Sequence, residues 1–270
     1  MIEKITLRKS FLFGLMTVLA LIMLYPFQYM VNNSFKTREQ YLGAPGHSLK
    51  SWQNLLSALP VGQQLLNSTI VCAGAILIIL SVSSMAGFAL AKLNYRASKL
   101  FFLGIIGAML IPLQSIIIPA YINASKLHLL NGYWGAIILY AALGTPFSTF
   151  LMTSYFRGLP DDLIEAGIVD GLGYYGVFRK LALPMAVPAL ITVVVLQFIQ
   201  IWDDLLVGLL FLQNEGTRTI TVGLGALSSG RTTDIPVLMA GSLVSALPAI
   251  IVYLIFQKQL VSGLTAGIGK

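Results

Sequence analysis

The chain has 270 residues, of which 57% are hydrophobic and 10% charged, and its mean hydropathy is +0.84. The 17 Lys and Arg with 10 Asp and Glu are too few to clothe a water-soluble domain this apolar, so composition excludes one and points to membrane-spanning helices. The formal charge of +7 does not read as nucleic-acid binding, because the basic residues lie scattered between apolar runs and form no stripe with interleaved aromatics.

Cysteine and histidine usage narrows the chemistry further. Cys72 is the single cysteine, so an internal disulfide or thiolate metal site is excluded, and it reads as a small buried apolar residue. His47 and His128 stand in separate loops without metal-ligand spacing, so no metal and no cofactor is expected on this chain.

Crossing about 30 Å of hydrocarbon takes about 20 helical residues. Six runs meet that length, at 11–31, 69–91, 100–122, 133–155, 185–212 and 235–256. An all-α integral membrane protein of six transmembrane helices, forming a single domain over 1–270, is the expected fold class. The first run follows Lys4, Arg8 and Lys9, but its apolar core is too long for a secretory signal and no small-residue cleavage pattern follows, so it reads as an uncleaved signal anchor.

Orientation follows from the distribution of positive charge. With the N-terminus cytoplasmic, the inner segments hold Lys4, Arg8, Lys9, Lys92, Arg96, Lys99, Arg157, Arg179, Lys180, Lys258 and Lys270, against Lys36, Arg38, Lys50, Lys126, Arg218 and Arg231 outside. Both termini are then cytoplasmic. Segments 32–68, 123–132 and 213–234 face outward, and one long segment, 156–184, faces inward.

That inner segment is too long to be a plain connection. Pro160 suits a first helical turn, Asp161, Asp162 and Glu165 complement a helix N-terminus, and Gly171 suits a helix exit. A short helix is expected there, followed by a second through 174–183, after which Pro184 and Pro188 bend the chain into the fifth run. Asp162 with Glu165 three positions on can also be read as a simple capping pair, but capping explains nothing past the first turn.

At this point the residues resemble a known signature. Glu165-Ala166-Gly167, three residues, Gly171, nine residues and Leu181-Ala182-Leu183-Pro184 keep the full spacing of the cytoplasmic loop of bacterial ABC-importer permeases, which runs Glu-Ala-Ala, three residues, Gly, nine residues, Ile-x-Leu-Pro. Gly167 replaces the second alanine and Leu181 the isoleucine; glycine lowers intrinsic helicity by up to about 1 kcal/mol. Further stretches are similar to the carbohydrate branch: Asn33-Ser34-Phe35-Lys36, Leu66-Asn67-Ser68, Met109-Leu110-Ile111-Pro112, Leu129-Leu130-Asn131-Gly132, Asp170-Gly171, Trp202-Asp203-Asp204 and Gly263-Leu264-Thr265-Ala266-Gly267. Together they look like the second permease of the maltose and glycerol-3-phosphate type, with Asp203 where that branch commonly has Asn.

The resemblance implies the type I ABC-importer permease fold, in the inner (plasma) membrane, and a non-catalytic subunit. It implies a second permease subunit, two cytoplasmic ATPase subunits that bind ATP and Mg, and an extracytoplasmic solute-binding protein. The helix around Asp161–Asp170 would dock on the ATPase, with Glu165 as polar anchor and Ala166, Gly167, Gly171, Leu183 and Pro184 completing the coupling loop. The cargo implied is a sugar or oligosaccharide or a related polyol; the alternative is a non-sugar solute such as glycerol-3-phosphate. The outer segment 213–234, with Gly216, Gly223, Gly225 and Gly230, would reach toward the binding protein, and the tail from Lys258 to Lys270 would touch the ATPase, the other reading being a frayed terminus.

Polar groups inside spans mark a pathway or an interhelical contact. Gln197, Gln200 and Asp204 fall at i, i+3 and i+7, on one helical face, with Trp202 and Asp203 beside them. Amides, carboxylates and an aromatic face suit a polyhydroxylated solute. The other readings stay open: glutamines bonding neighbouring helices, the aspartates at an outer gate, and Trp202 as an interface anchor. Gln114 and Ser115, beside Pro112, are weaker pathway candidates.

Two other function classes compete. An ion-coupled secondary carrier needs a set of acids at mid-membrane depth, and an intramembrane enzyme needs a nucleophile with a base or a metal; neither pattern occurs. No GxxxxGK[ST] is present, so nucleotide belongs to a partner. Leu227-Ser228-Ser229-Gly230-Arg231 superficially resembles an ATPase signature, but it falls in an outward segment and is set aside.

Overall fold

A computed structural model describes residues 2–93, 95–229 and 233–266, with side chains placed for 9–260 within them. Gly230 and Arg231 of the segment 213–234, Gly267 to Lys270 of the tail, and the side chains of Lys4 and Arg8 lie outside the described residues.

The described residues form helices and no strand. In chain order these are α1 (Ile2–Ser34), α2 (Arg38–Tyr41), α3 (Lys50–Ala58), α4 (Val61–Lys92), α5 (Ser98–Met109), α6 (Leu113–Lys126), α7 (Tyr133–Arg157), α8 (Asp161–Val169), α9 (Tyr174–Val177), a π-helical turn over Phe178–Ala182, α10 (Leu183–Met185), α11 (Val187–Trp202), α12 (Leu206–Phe211), α13 (Ile220–Ser228) and α14 (Ile235–Ala266). Helix is the only open-ended element whose backbone is satisfied without water, which is why long apolar runs adopt it.

Among the described residues, four stretches are long and apolar enough to cross a bilayer: Lys9–Ser34, Val61–Lys92, Tyr133–Arg157 and Ile235–Leu260. Two more qualify as bent pairs, so the count is four, or up to six when each pair is one span. Ser98–Met109 with Leu113–Lys126 turns by 95°, and Tyr174–Met185 with Val187–Trp202 by 72°.

Proline explains both bends. Pro112 has no N–H to continue a ladder and holds the preceding residue away from helical angles, so the apolar run expected at 100–122 divides at Leu110–Pro112. Pro188 stands in the first turn of α11, two residues after the non-helical Ala186. The run at 185–212 also divides a second time, since α11 stops at Trp202 and α12 begins at Leu206.

By internal contacts the chain divides into two compact units, the described parts of 1–61 with 224–247 and of 62–223 with 248–270. In the first, α1 leaves its apolar side chains uncovered by its own chain; Phe13 is 76% exposed. Such a surface is stable only against acyl chains or another helix. After α1, Phe35 meets Trp52 at 5.8 Å between ring centroids, Ser51 Oγ donates to the Lys36 carbonyl at 2.6 Å, and Leu55 is fully buried.

The second unit is built on α4, α7 and α11. Gly87 of α4 lies so close to α7 that a Cβ there would fall 2.7 Å from Met152 Cβ, the small-residue contact that lets two helix backbones approach in lipid. Met152, Phe156, Val193 and Val195 are fully buried between these helices. Further along, Thr192 Oγ1 of α11 donates to the Gln259 carbonyl of α14 at 3.2 Å.

Candidate functional site

The segment 156–184 is the first region of interest. Residues Asp161, Asp162, Glu165, Ala166 and Asp170 of α8 and its exit are exposed, whereas Ile164 and Gly167, three residues apart, are buried. The helix therefore lies on its own chain along one face and offers a short acidic face with Val169, 86% exposed, to whatever is outside. Its N-cap is Pro160, with no side-chain cap bond, so the acids of the first turn act on the helix dipole.

The exit is closed by backbone geometry. Leu172 N donates to Gly167 O at 3.0 Å and Gly171 N to Ile168 O at 3.0 Å, the paired bonds of a Schellman motif, with Gly171 at φ +84° where a side chain is disfavoured. Gly167 faces Leu181 and Val177: a Cβ on it would lie 2.8 Å from Leu181 Cδ1 and 3.0 Å from Val177 Cγ2. Leu183 is half-buried and Pro184 exposed in α10, and Tyr155 Oη holds that turn by donating to the Met185 carbonyl at 2.7 Å.

Where α4 meets the two ends of the segment that carries α8, three aromatic rings come together. Phe88 of α4 stands edge-on to Phe156 of α7 at 5.6 Å and 5.4 Å from Phe178 of the π-turn. One turn further along α4, Lys92 Nζ donates to the Leu159 carbonyl at 2.6 Å and pairs with Asp161 Oδ1 at 2.6 Å. Sequence reasoning counted Lys92 only as an inner charge; its partners lie 67 and 69 positions away, beyond any local pattern.

The second region is the polar stripe of the fifth run. Gln197 is buried, and its Nε2 donates to Ser148 Oγ at 3.2 Å and the Gly144 carbonyl at 3.4 Å, both on α7. Gln200, one turn on, is exposed, and both glutamines line a cavity of about 520 Å³ with Met109, Ile111, Leu113 and Pro146. The break between α5 and α6 thus opens onto the amide stripe. Gln114 and Ser115 are exposed at the start of α6 and are not in that lining.

The Trp202-Asp203-Asp204 group separates. Trp202 is buried, stacked on Phe198 at 5.1 Å, and its carbonyl accepts Thr221 Oγ1 at 2.9 Å. Asp203 is exposed. Asp204 accepts the Tyr140 hydroxyl at 2.8 Å and Val207 N at 2.8 Å, so it starts α12 and ties it to α7.

A third cluster anchors the segment that follows α12. Asn67 is fully buried; its Nδ2 donates to the carbonyls of Gly216 at 3.0 Å and Arg218 at 2.8 Å, while its Oδ1 accepts Gln63 Nε2 at 2.9 Å and Tyr133 Oη at 2.8 Å. Ser68 Oγ accepts Ile220 N at 3.0 Å. Among the described residues no group of three or more His, Cys, Asp or Glu is placed to hold a metal.

Residues 83–265 match the profile of the family described as binding-protein-dependent transport system inner membrane component. The chain belongs to this family. As an inner-membrane component it carries the α8 loop, the amide stripe and most of α14 within the matched region. A probable ABC transporter permease protein, YurM, of Bacillus subtilis (strain 168) is 33% identical over 90% of this chain and 82% of its own. The trehalose/maltose transport system permease protein MalG of Thermococcus litoralis (strain ATCC 51850 / DSM 5473 / JCM 8560 / NS-C) is 33% identical over 93% of this chain and 92% of its own. In fold, the permease is similar to a chain of a bacterial ABC transporter involved in the import of the acidic polysaccharide alginate, with a TM-score of 0.80 at 22% identity over 91% of this chain and 93% of that one.

Proposed function

We propose that this inner-membrane component is one permease subunit of an ATP-driven importer for a sugar or oligosaccharide. It works beside a second permease, two cytoplasmic ATPase subunits that bind ATP and Mg, and an external solute-binding protein. Each bent helix pair counts as one span, giving six, with both termini cytoplasmic. The coupling loop is 156–184.

The observation that carries the reading is α8: an acidic face with Glu165 uncovered, on a helix whose other face is locked to its own chain through Gly167. A helix so held moves as a body with the ends of α4, α7 and the π-turn, and a push on it rocks the spans, which is the requirement of alternating access. Glu165 is the anchor on the ATPase. Lysine there reverses the charge of an exposed residue, so folding is spared.

Cargo passes along the cavity wall at Gln200, where an exposed amide replaces the hydration of hydroxyl groups, while Gln197 behind it is bonded to α7. The carbohydrate class is favoured by the likeness, over nine-tenths of the chain, to a trehalose/maltose permease. The deciding experiment is uptake in vesicles containing the full complex. Glu165→Lys abolishes ATP-dependent uptake or releases the ATPase subunits; normal uptake by an intact variant complex refutes the docking role. Uptake by this chain alone, driven by an ion gradient, refutes the importer reading altogether.

A further inference from the structure

Lys92 is the last residue of α4, and 4% of its side chain is exposed. A buried ammonium is costly unless its N–H groups are used. Two of them are used, on the Leu159 carbonyl in the turn between α7 and α8 and on the carboxylate of Asp161, the first residue of α8. Phe88, one turn earlier, rests on Phe156 at the entry of the same loop and on Phe178 at its exit.

Two kinds of contact therefore join α4 to the inner loop. The aromatic contacts are non-directional and tolerate sliding. The ammonium contacts are short and directional, and they fix the start of α8 relative to the end of α4. An apolar side chain of equal length would fill the same space without the desolvation cost, so an ion pair of this kind is weak as a source of stability. Its value lies in geometry.

We propose that Lys92 is a positioning residue that couples α8 to α4, so that displacement of α8 reaches this span as well as α7 and α11, to which α8 is joined through the chain. The inference rests on the reading of α8 as the surface that engages the ATPase. Without the link, α8 follows the ATPase while α4 lags, and hydrolysis proceeds without a matching movement of the pathway.

The test is solute transported per ATP hydrolysed, measured on the complete complex in proteoliposomes with the binding protein inside the assay. Lys92→Met keeps the apolar stem and removes the donors; the ratio falls at least fivefold while the ATPase subunits copurify at parental stoichiometry. Lys92→Arg, which can donate to both acceptors, restores the ratio to within twofold. A parental ratio for Lys92→Met, in a complex that Glu165→Lys disrupts, overturns the proposal and leaves the docking role of α8 standing. Parental behaviour of both variants overturns the docking role and the proposal with it.

Should Lys92→Met fail to assemble, exposed Asp161 carries the test. Asp161→Ala lowers the ratio two- to threefold and Asp161→Asn, which keeps an acceptor oxygen, does so less. A parental ratio for Asp161→Ala overturns the proposal.

Discussion

Gly167 and Leu181 occupy one space: the hydrogen-only face of the glycine in α8 receives the Leu181 side chain of the π-turn, with a hypothetical Cβ 2.8 Å from Leu181 Cδ1. The two positions are also the two at which the chain departs from the Glu-Ala-Ala and Ile-x-Leu-Pro pattern. The departures are thus one exchange, a methyl lost from the helix and a branch moved further out on the facing side chain. Rigidity forfeited by glycine is returned by contact.

Gly167→Ala gains about 1 kcal/mol of helix propensity but overpacks the contact by about 1–3 kcal/mol. The variant complex should therefore unfold at a lower temperature than the parent. Adding Leu181→Ile should recover more than half of the loss, with a coupling of about 0.5–3 kcal/mol in the double-mutant cycle. Strict additivity in thermal unfolding would show that the two side chains do not meet.

Gly171→Ala places a side chain at φ +84°, at a cost of about 1–2 kcal/mol. Its Schellman bonds hold the exit of α8 alone. Amide exchange over 164–172 should therefore accelerate about tenfold in the assembled complex, while exchange in the middle of α7 stays parental. Gly171→Asn should be milder, because asparagine tolerates that conformation.

How much of this was legible in the sequence differs by element. Pro160, the acids of the first turn and Gly171 announce α8 within one stretch of twelve residues, since capping and dipole chemistry are local. The bend at Pro112 is written in the sequence too, but an apolar run of constant hydropathy on both sides hides it. Nothing local could place Lys92 on Leu159 and Asp161, or Asn67 on Gly216 and Arg218, because those contacts exist only once α4 has packed. Of the polar residues in the fifth run, Gln197 and Asp204 differ from Gln200 in having partners on α7, and spacing cannot tell a bonded amide from an open one.

Asp204 gives a test of charge against geometry. Asp204→Asn keeps an oxygen for Tyr140 and Val207 and should cost about 1 kcal/mol, with uptake near the parental rate. Asp204→Ala orphans the buried hydroxyl and the N–H, at about 1–3 kcal/mol for each, and should lower both stability and uptake. Loss of uptake by a stable Asn variant would assign the charge itself to the pathway.

The two glutamines should separate in the same way. Gln197→Ala leaves Ser148 and the Gly144 carbonyl without their partner and should destabilise by about 1–3 kcal/mol. Gln200→Ala, at an exposed position on the cavity wall, should stay within about 0.5 kcal/mol of the parent and instead raise the half-saturating solute concentration for uptake severalfold. Equal effects of both variants on stability and affinity would dissolve the distinction between a bonded and a pathway amide.

Asn67 makes four hydrogen bonds from a fully buried side chain, and two of them hold the carbonyls on either side of Thr217. Asn67→Ala should cost about 1–3 kcal/mol locally and release the segment around Arg218, whose side chain is 31% exposed. Trypsin needs an extended, unpinned backbone, so its cleavage after Arg218 should quicken about tenfold for a free-energy loss of about 1.4 kcal/mol. The side from which trypsin acts is equally informative. Arg218 belongs to an outward segment in the proposed orientation, so cleavage should occur with protease outside intact cells lacking an outer barrier. Cleavage only in inverted vesicles would reverse the orientation, and with it the assignment of α8 to the cytoplasm where the ATPase resides.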